Sequence, residues 1–115
     1  PQEYPMNYFV DVTAAARRDL ADAFDYIDLT LKNPAAADKF VDTAAEKLYA
    51  LDVFPKRCAL VNDPMLSSIG IRFLLLSSYV AFFQVDDADA TVHVLRILYE
   101  HSNWAAILKN DLLRS

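Results

Sequence analysis

Glycine is almost missing from this chain: Gly70 is the single one in 115 residues. Turns normally recruit several glycines, so long helices and a few tight hairpins are expected rather than many loops. Cysteine occurs once, at Cys58. That excludes an intramolecular disulfide and removes any need for an oxidising compartment. Cys58 has no Cys or His neighbour at metal spacing, so neither a metal site nor a cofactor is expected. The chain also lacks a glycine-rich phosphate loop and a Ser-His-Asp cue. Arg72, Gln84 and Arg96 break the apolar runs well short of a membrane span. The first residues carry no basic, apolar leader. The expectation is a cytoplasmic protein with no membrane partner. Positive charge is scarce too: 11 Lys and Arg against 16 Asp and Glu give a net charge of −5. Broad nonspecific binding to nucleic acid needs many cationic phosphate contacts, so it is excluded. A small local cationic site is not.

What the chain does have is apolar surface. Hydrophobic residues make up 55% of it, far from a disordered composition. Its length suits one domain over residues 1–115, large enough to bury a core without staples.

Residues 1–5 read as a frayed lead-in. Met6 to Val12 is aromatic and β-branched and reads as a strand. Thr13 then offers a capping oxygen. Ala16, Leu20, Ala23, Phe24, Ile27 and Leu31 recur at threes and fours, which predicts a helix over Ala14–Leu31. Arg17, Arg18, Asp22, Asp25 and Asp28 fall on its outer face. Asn33-Pro34 stops it and starts the next helix, with Asn33 as cap and Pro34 in the first turn. That second helix spans Ala35–Leu51, with a stripe of Ala37, Phe40, Val41, Ala44, Leu48 and Leu51. Two helices so closely joined must lie antiparallel.

Pro55 ends helical order. Cys58 to Ser68 reads as a connection, with Asn62-Asp63-Pro64 as a turn and an extended piece near Ala59-Leu60-Val61. Gly70 marks a bend. Ile71–Leu76, Tyr79–Val85 and Thr91–Tyr99 read as three strands, joined by Ser77-Ser78 and by Asp86-Asp87-Ala88-Asp89. Such short links imply an antiparallel meander. A short closing helix begins around Asn103-Trp104, with Ser102 as a cap. The fold class is therefore α+β.

Strict alternation along the last strand puts Val92, Val94 and Leu98 on one face with Arg96, and Leu95 and Ile97 on the other. A sheet apolar on both faces is unusual, because a wet face is normally polar. The helical hairpin can cover one face only. The other is expected to await a second polypeptide.

Five segments, in order, resemble the RelE/ParE toxin family. They are Leu51-Asp52-Val53-Phe54-Pro55 closing the helix pair, Gly70-Ile71-Arg72 entering the sheet and Tyr79-Val80-Ala81-Phe82-Phe83. Val92 to Tyr99 and then Trp104 with Leu108 complete the set. The resemblance runs from about Tyr8 to Leu108. It implies a strand, a helical hairpin, a meander and a short C-terminal helix. It also implies the toxin half of a type II toxin–antitoxin pair, neutralised by a cognate antitoxin. The RelE-like branch cleaves mRNA on the ribosome, while the ParE-like branch inhibits DNA gyrase without chemistry of its own. Where the family carries a Gly-Arg-Arg-Asp-like turn, this chain has Glu100-His101-Ser102-Asn103. Two positive charges are thus replaced, which counts against direct RNA cleavage and favours a gyrase-directed toxin. An mRNA endoribonuclease and a non-toxic antitoxin-binding module stay open, as does a homodimer covering the second face.

RNA cleavage through the 2′-hydroxyl needs a base, an acid and cations to neutralise the phosphorane. Arg72 is a candidate phosphate clamp, unless it pairs with Asp63 or Asp86. Arg96, mid-strand among apolar residues, is either catalytic, an antitoxin contact or half of a structural ion pair. His101 is a candidate general acid or base, unless it is an idle surface histidine, and Tyr99 is a candidate proton donor or base-stacking ring, unless it is a core or interface aromatic. Lys56 and Arg57 are candidate substrate-binding residues, or an ordinary solvated pair. His93, Trp104, Tyr79 and Phe82 read as structural.

Overall fold

The chain is described by a computed structural model covering residues 7–114. The expected lead-in and the strand start at Met6 lie outside those residues. Strand β1 (Phe9–Val12) leads into helix α1 (Ala14–Asp25). Thr13 joins them: its hydroxyl accepts from the Ala16 N–H at 3.3 Å and donates to the Val94 carbonyl at 2.8 Å. The α1 start is therefore pinned to the sheet as well as capped.

The first helix does not continue regularly to Leu31. It widens into a π-helical turn over Tyr26–Thr30, with Leu31 N–H reaching back to the Tyr26 carbonyl at 3.0 Å. Widening rotates the stripe, so Leu31 is exposed rather than buried. Asn33 caps helix α2 (Pro34–Tyr49), accepting from the Ala36 N–H at 3.1 Å, with Pro34 in the first turn. A tighter 3-10 turn over Ala50–Asp52 finishes it. Another covers Pro55–Arg57, where the proline was expected to end helical order.

The meander is β2 (Arg72–Leu76), β3 (Tyr79–Asp86) and β4 (Thr91–Tyr99). The sheet order is β1-β4-β3-β2, with β1 parallel to β4 and the other pairs antiparallel. Helix α4 spans Trp104–Arg114 and closes the fold. Between Cys58 and Ser68 the turn reading is corrected. Asp63-Pro64 starts a short helix, α3 (Pro64–Ser68), with the Asp63 carboxylate accepting from the Leu66 N–H at 3.0 Å. The extended piece before it makes a single antiparallel bridge, Leu60 to Arg72.

One core lies between the hairpin and the sheet. Ala16, Ala23, Phe40, Ala44, Leu48 and Leu51 meet Leu76, Ala81, Phe83, Val92, Val94 and Ile97 there. The opposite face holds a second core of Val61, Leu66, Ile71, Val80, Phe82, Leu98 and Leu108, with Trp104 stacked on Phe82 at 5.0 Å. This corrects the expectation that only another polypeptide could cover that face. Helices α3 and α4 of the same chain cover it.

The face assignment in β4 is corrected as well. Phe82 opposes Arg96 but Phe83 opposes Val94, so Leu95 is an extra residue. Such a bulge resets the alternation. Val92, Val94 and Ile97 therefore share the hairpin side, while Leu95 and Leu98 pack in the second core.

Among the described residues, four other than glycine have left-handed backbones: Lys32, Phe54, Ser77 and Ala90, with φ of 54°, 49°, 63° and 50°. Gly70, at φ 86°, ends α3. Among the described residues, no helix is long and apolar enough to cross a membrane.

Asp63 also accepts from Lys109 Nζ at 2.9 Å, tying α3 to α4. The Leu66 N–H, and then Lys109, hold its carboxyl below the ordinary value of 3.8. A depressed folded pKa gives stability that is complete above the unfolded value and disappears as pH falls through the folded one. Asp63→Ala should therefore lower the melting temperature near neutral pH. The gap to the parent should close below about pH 4. Thermal melts of both proteins across that range check it.

Candidate functional site

The Leu95 bulge puts Arg96 on the face opposite to that of Arg72. Arg72 lies opposite Phe83, on the hairpin side, and Arg96 lies opposite Phe82, on the other. They leave the sheet from opposite faces and do not meet.

Arg96 is fully engaged. Its Nε and Nη2 donate to the two carboxylate oxygens of Asp19 on α1, at 2.7 and 2.9 Å. Its Nη1 donates to Asp111 on α4 at 2.9 Å. Asp19 also accepts from the Ile97 N–H at 2.9 Å, where β4 runs on beyond the end of β1. The side chains of Arg96 and Asp19 are 22% and 11% exposed. Hydrogen bonding to Asp19, above all, holds the guanidinium even more firmly charged than an ordinary arginine. Arg96 thus clamps α1 and α4 to β4. Asp19 was missed in the sequence. The available signal was an acid on the flank of the apolar stripe, between Ala16 and Ala23.

Arg72 is bound to carbonyls rather than to Asp63 or Asp86. Its Nη1 donates to the Cys58 oxygen at 2.6 Å and to the Lys56 oxygen at 3.3 Å. Asp63 serves α3 and Lys109 instead, and Asp86 accepts from the Asp89 N–H in the hairpin loop at 3.2 Å. Arg72 therefore fixes the loop that carries Lys56 and Arg57. Lys56 pairs with Asp87, which also accepts from the Tyr8 hydroxyl at 2.7 Å. Those two donors, Lys56 first, push the Asp87 carboxyl below its ordinary range. The Asp87 bond in turn pushes the Tyr8 hydroxyl up. Arg57 closes its own loop, donating to the Val53 and Phe54 carbonyls at 2.6 and 3.0 Å.

Tyr99 and His101 lie together past the end of β4. Their rings meet edge-on at 5.3 Å, and both are exposed. The nearest charge to His101 is Glu100, at 3.8 Å. His93, read as structural, contacts Asp11 across the β1–β4 pair at 3.2 Å.

Tyr99 also belongs to a broad concavity. This is a cleft of about 1130 Å³ between the hairpin and the β2–β3 turn. Tyr26 of the π turn, Tyr79 and Tyr99 line it, with Phe40 and Leu76 at its base and Lys39 and Lys47 on the α2 rim. Tyr79 touches Phe40 and Tyr99, with ring centroids at 5.2 and 6.0 Å. Burial pushes its hydroxyl pKa up, so it stays neutral. An aromatic, mostly apolar cleft with charges on its rim suits a polypeptide segment better than a phosphodiester. Tyr26, Lys39 and Lys47 had no sequence signal as site residues, because a cleft between two layers is set by packing. Among the described residues, no group of three His, Cys, Asp or Glu is placed to hold a metal.

No curated protein matches the sequence. The sequence profile of the ParE toxin of type II toxin–antitoxin systems, parDE, matches residues 10–104. Among solved structures, a chromosomal ParDE toxin–antitoxin system from P. aeruginosa is 25% identical, with a TM-score of 0.63, covering 82% of this chain and 97% of that one. A RelBE toxin–antitoxin complex from Mycobacterium tuberculosis is 23% identical, with a TM-score of 0.53, covering 81% and 98%. A doubly substituted RelE toxin from E. coli in its free state is 20% identical, with a TM-score of 0.56, covering 91% and 98%. These last two share the fold. The profile match spans most of the strands and helices described above, and on it the chain belongs to the ParE toxin family of type II toxin–antitoxin systems.

Proposed function

We propose that this chain arrests growth in the cytoplasm by occupying DNA gyrase, without cutting RNA, and that a cognate antitoxin neutralises it. The observation that carries this reading is the separation of Arg72 and Arg96 onto opposite faces of the sheet. Stabilising a phosphorane requires cations converging on one point. Here Arg96 serves two carboxylates, Arg72 two carbonyls, Lys56 a carboxylate and Arg57 two carbonyls. Tyr99 and His101 are free to meet a partner, yet they sit beside Glu100, which repels phosphate. The net charge of −5 acts in the same direction. A protein-binding toxin needs only an accessible surface, and the aromatic cleft supplies one.

Inducing the chain alone in a bacterial host tests the reading. Growth should stop with ribosome-bound mRNA intact and a DNA-damage response raised. The purified chain should inhibit supercoiling by gyrase. Co-expressing the product of the neighbouring reading frame should restore growth. Cut mRNA on ribosomes would replace this reading with the endoribonuclease, and normal growth would leave only an antitoxin-binding module.

A further inference from the structure

A large apolar side chain on a left-handed backbone is an outlier, because bulk beyond the Cβ adds to the clash. Lys32, Ser77 and Ala90 take that shape with polar or small side chains. Phe54 takes it with a ring, at φ 49° and ψ 54°, and is 60% exposed. Burial therefore does not explain the residue. Strain of this kind persists where the surroundings over-determine it, and it gathers at functional sites.

The turn around Phe54 is held from every side. Pro55 is fully buried. The Arg57 side chain donates to the Val53 and Phe54 carbonyls, and the Arg57 N–H donates to the Phe54 carbonyl at 3.0 Å. The Cys58 N–H donates to the Pro55 carbonyl at 3.3 Å. Arg72 holds the Lys56 and Cys58 carbonyls from β2, and the Tyr8 N–H holds the Asp52 carbonyl at 2.8 Å. These bonds fix the backbone and leave the ring mostly in solvent, with Val53 exposed beside it. The charge around it is distinctive too. Arg57 and Arg72 donate to neutral carbonyls and meet no carboxylate among the described residues. Lys56 is paired with Asp87, and Asp52 is the other acid nearby. Positive charge is thus in local excess in a chain of net charge −5.

We propose that Phe54 is an anchor by which the chain grips gyrase, entering an apolar pocket edged by carboxylates on that enzyme. This rests on the gyrase reading above. It goes beyond the aromatic cleft, which reaches no further along α2 than Lys47. A cleft accepts a segment, whereas a rigid knob must be accepted by a concave, folded surface. An aromatic ring held ready before binding makes a strong anchor, since little freedom is left to lose. The uncompensated arginines beside it select an acidic rim. Single-stranded nucleic acid fits less well, because it needs successive rings along a basic groove, and Asp52 and Asp87 stand in the way.

Phe54→Asn tests the proposal, because asparagine tolerates the left-handed shape and lacks the ring. It should melt no lower than the parent, while its affinity for purified gyrase falls about tenfold or more. Phe54→Tyr keeps the ring and should stay within about threefold of the parent. The parent's affinity should also fall as salt is raised. A folded Phe54→Asn that binds gyrase as the parent does overturns the site and leaves the gyrase reading standing. An affinity that rises with salt does the same. Weakened binding of the antitoxin, or of a single-stranded oligoribonucleotide, with gyrase binding intact would give the ring to that partner and also overturn it. A parent that does not bind gyrase removes the gyrase reading and this site together. Should Phe54→Asn fail to fold, hydroxyl-radical footprinting of the parent decides: gyrase should protect the Phe54 ring, and a ring left open to oxidation overturns the site.

Discussion

Arg96→Ala is expected to lower the stability of the free chain by about 2–4 kcal/mol, the usual result of breaking a desolvated ion pair. The cost comes from what is left behind. Asp19 would keep only the Ile97 N–H as partner while remaining 11% exposed. Arg96→Lys should recover little, because an ammonium cannot engage both Asp19 oxygens and Asp111 as the guanidinium fork does. Arg96→Met combined with Asp19→Leu should recover part of the loss, since it removes the stranded charge but leaves the Ile97 N–H without its acceptor. Urea denaturation of the four proteins checks this. The result also separates two roles for Arg96. An arginine held for phosphate would be dispensable for folding, and its alanine variant would melt with the parent. One that clamps α1 and α4 to β4 would not.

Phe82→Ala is expected to cost more, about 3–5 kcal/mol. Phe82 is 1% exposed at the centre of the second core and carries the Trp104 stack. Removing its ring leaves a void that α4 can fill only by moving. For a chain of this length the melting temperature should fall by more than about 10 °C. Trp104, the chain's single tryptophan, reports the change directly, and its emission should shift to longer wavelength before global unfolding. Phe82→Leu should lose much less. A small effect from the alanine variant, with Trp104 emission unchanged, would mean that α4 contributes little to holding the second face.

Much of this architecture is legible in the residues. The helical hairpin follows from two apolar stripes and from Asn33-Pro34, whose capping geometry is as expected. The meander follows from three apolar runs joined by short polar links, and β4 has the expected ends, Thr91 and Tyr99. The ion-pair alternative for Arg96 was also open to inspection, because a buried guanidinium needs a partner.

What escaped has identifiable causes. Helix α3 carries the same signal as α2, a capping residue followed by proline, but Asn62-Asp63-Pro64 signals a turn just as well. Missing α3 left the second sheet face without a cover, which turned an intramolecular core into an expected interface. The Leu95 bulge has no compositional mark. One inserted residue inverts the facing of everything beyond it, and so strict alternation puts Arg96 with Val92 and Val94 while the structure does not. The partners of Arg72 are backbone carbonyls, which no pattern of charged residues can announce.

The near-absence of glycine has a consequence for adaptation. Lys32, Phe54, Ser77 and Ala90 hold backbone shapes that suit glycine, each at a penalty of roughly 1 kcal/mol for a residue with a Cβ. The framework therefore carries slack at its corners rather than in its interior. A version of this protein suited to warmer surroundings need not alter either core. It could be reached by relaxing single positions such as Ala90, where the chain reverses between β3 and β4.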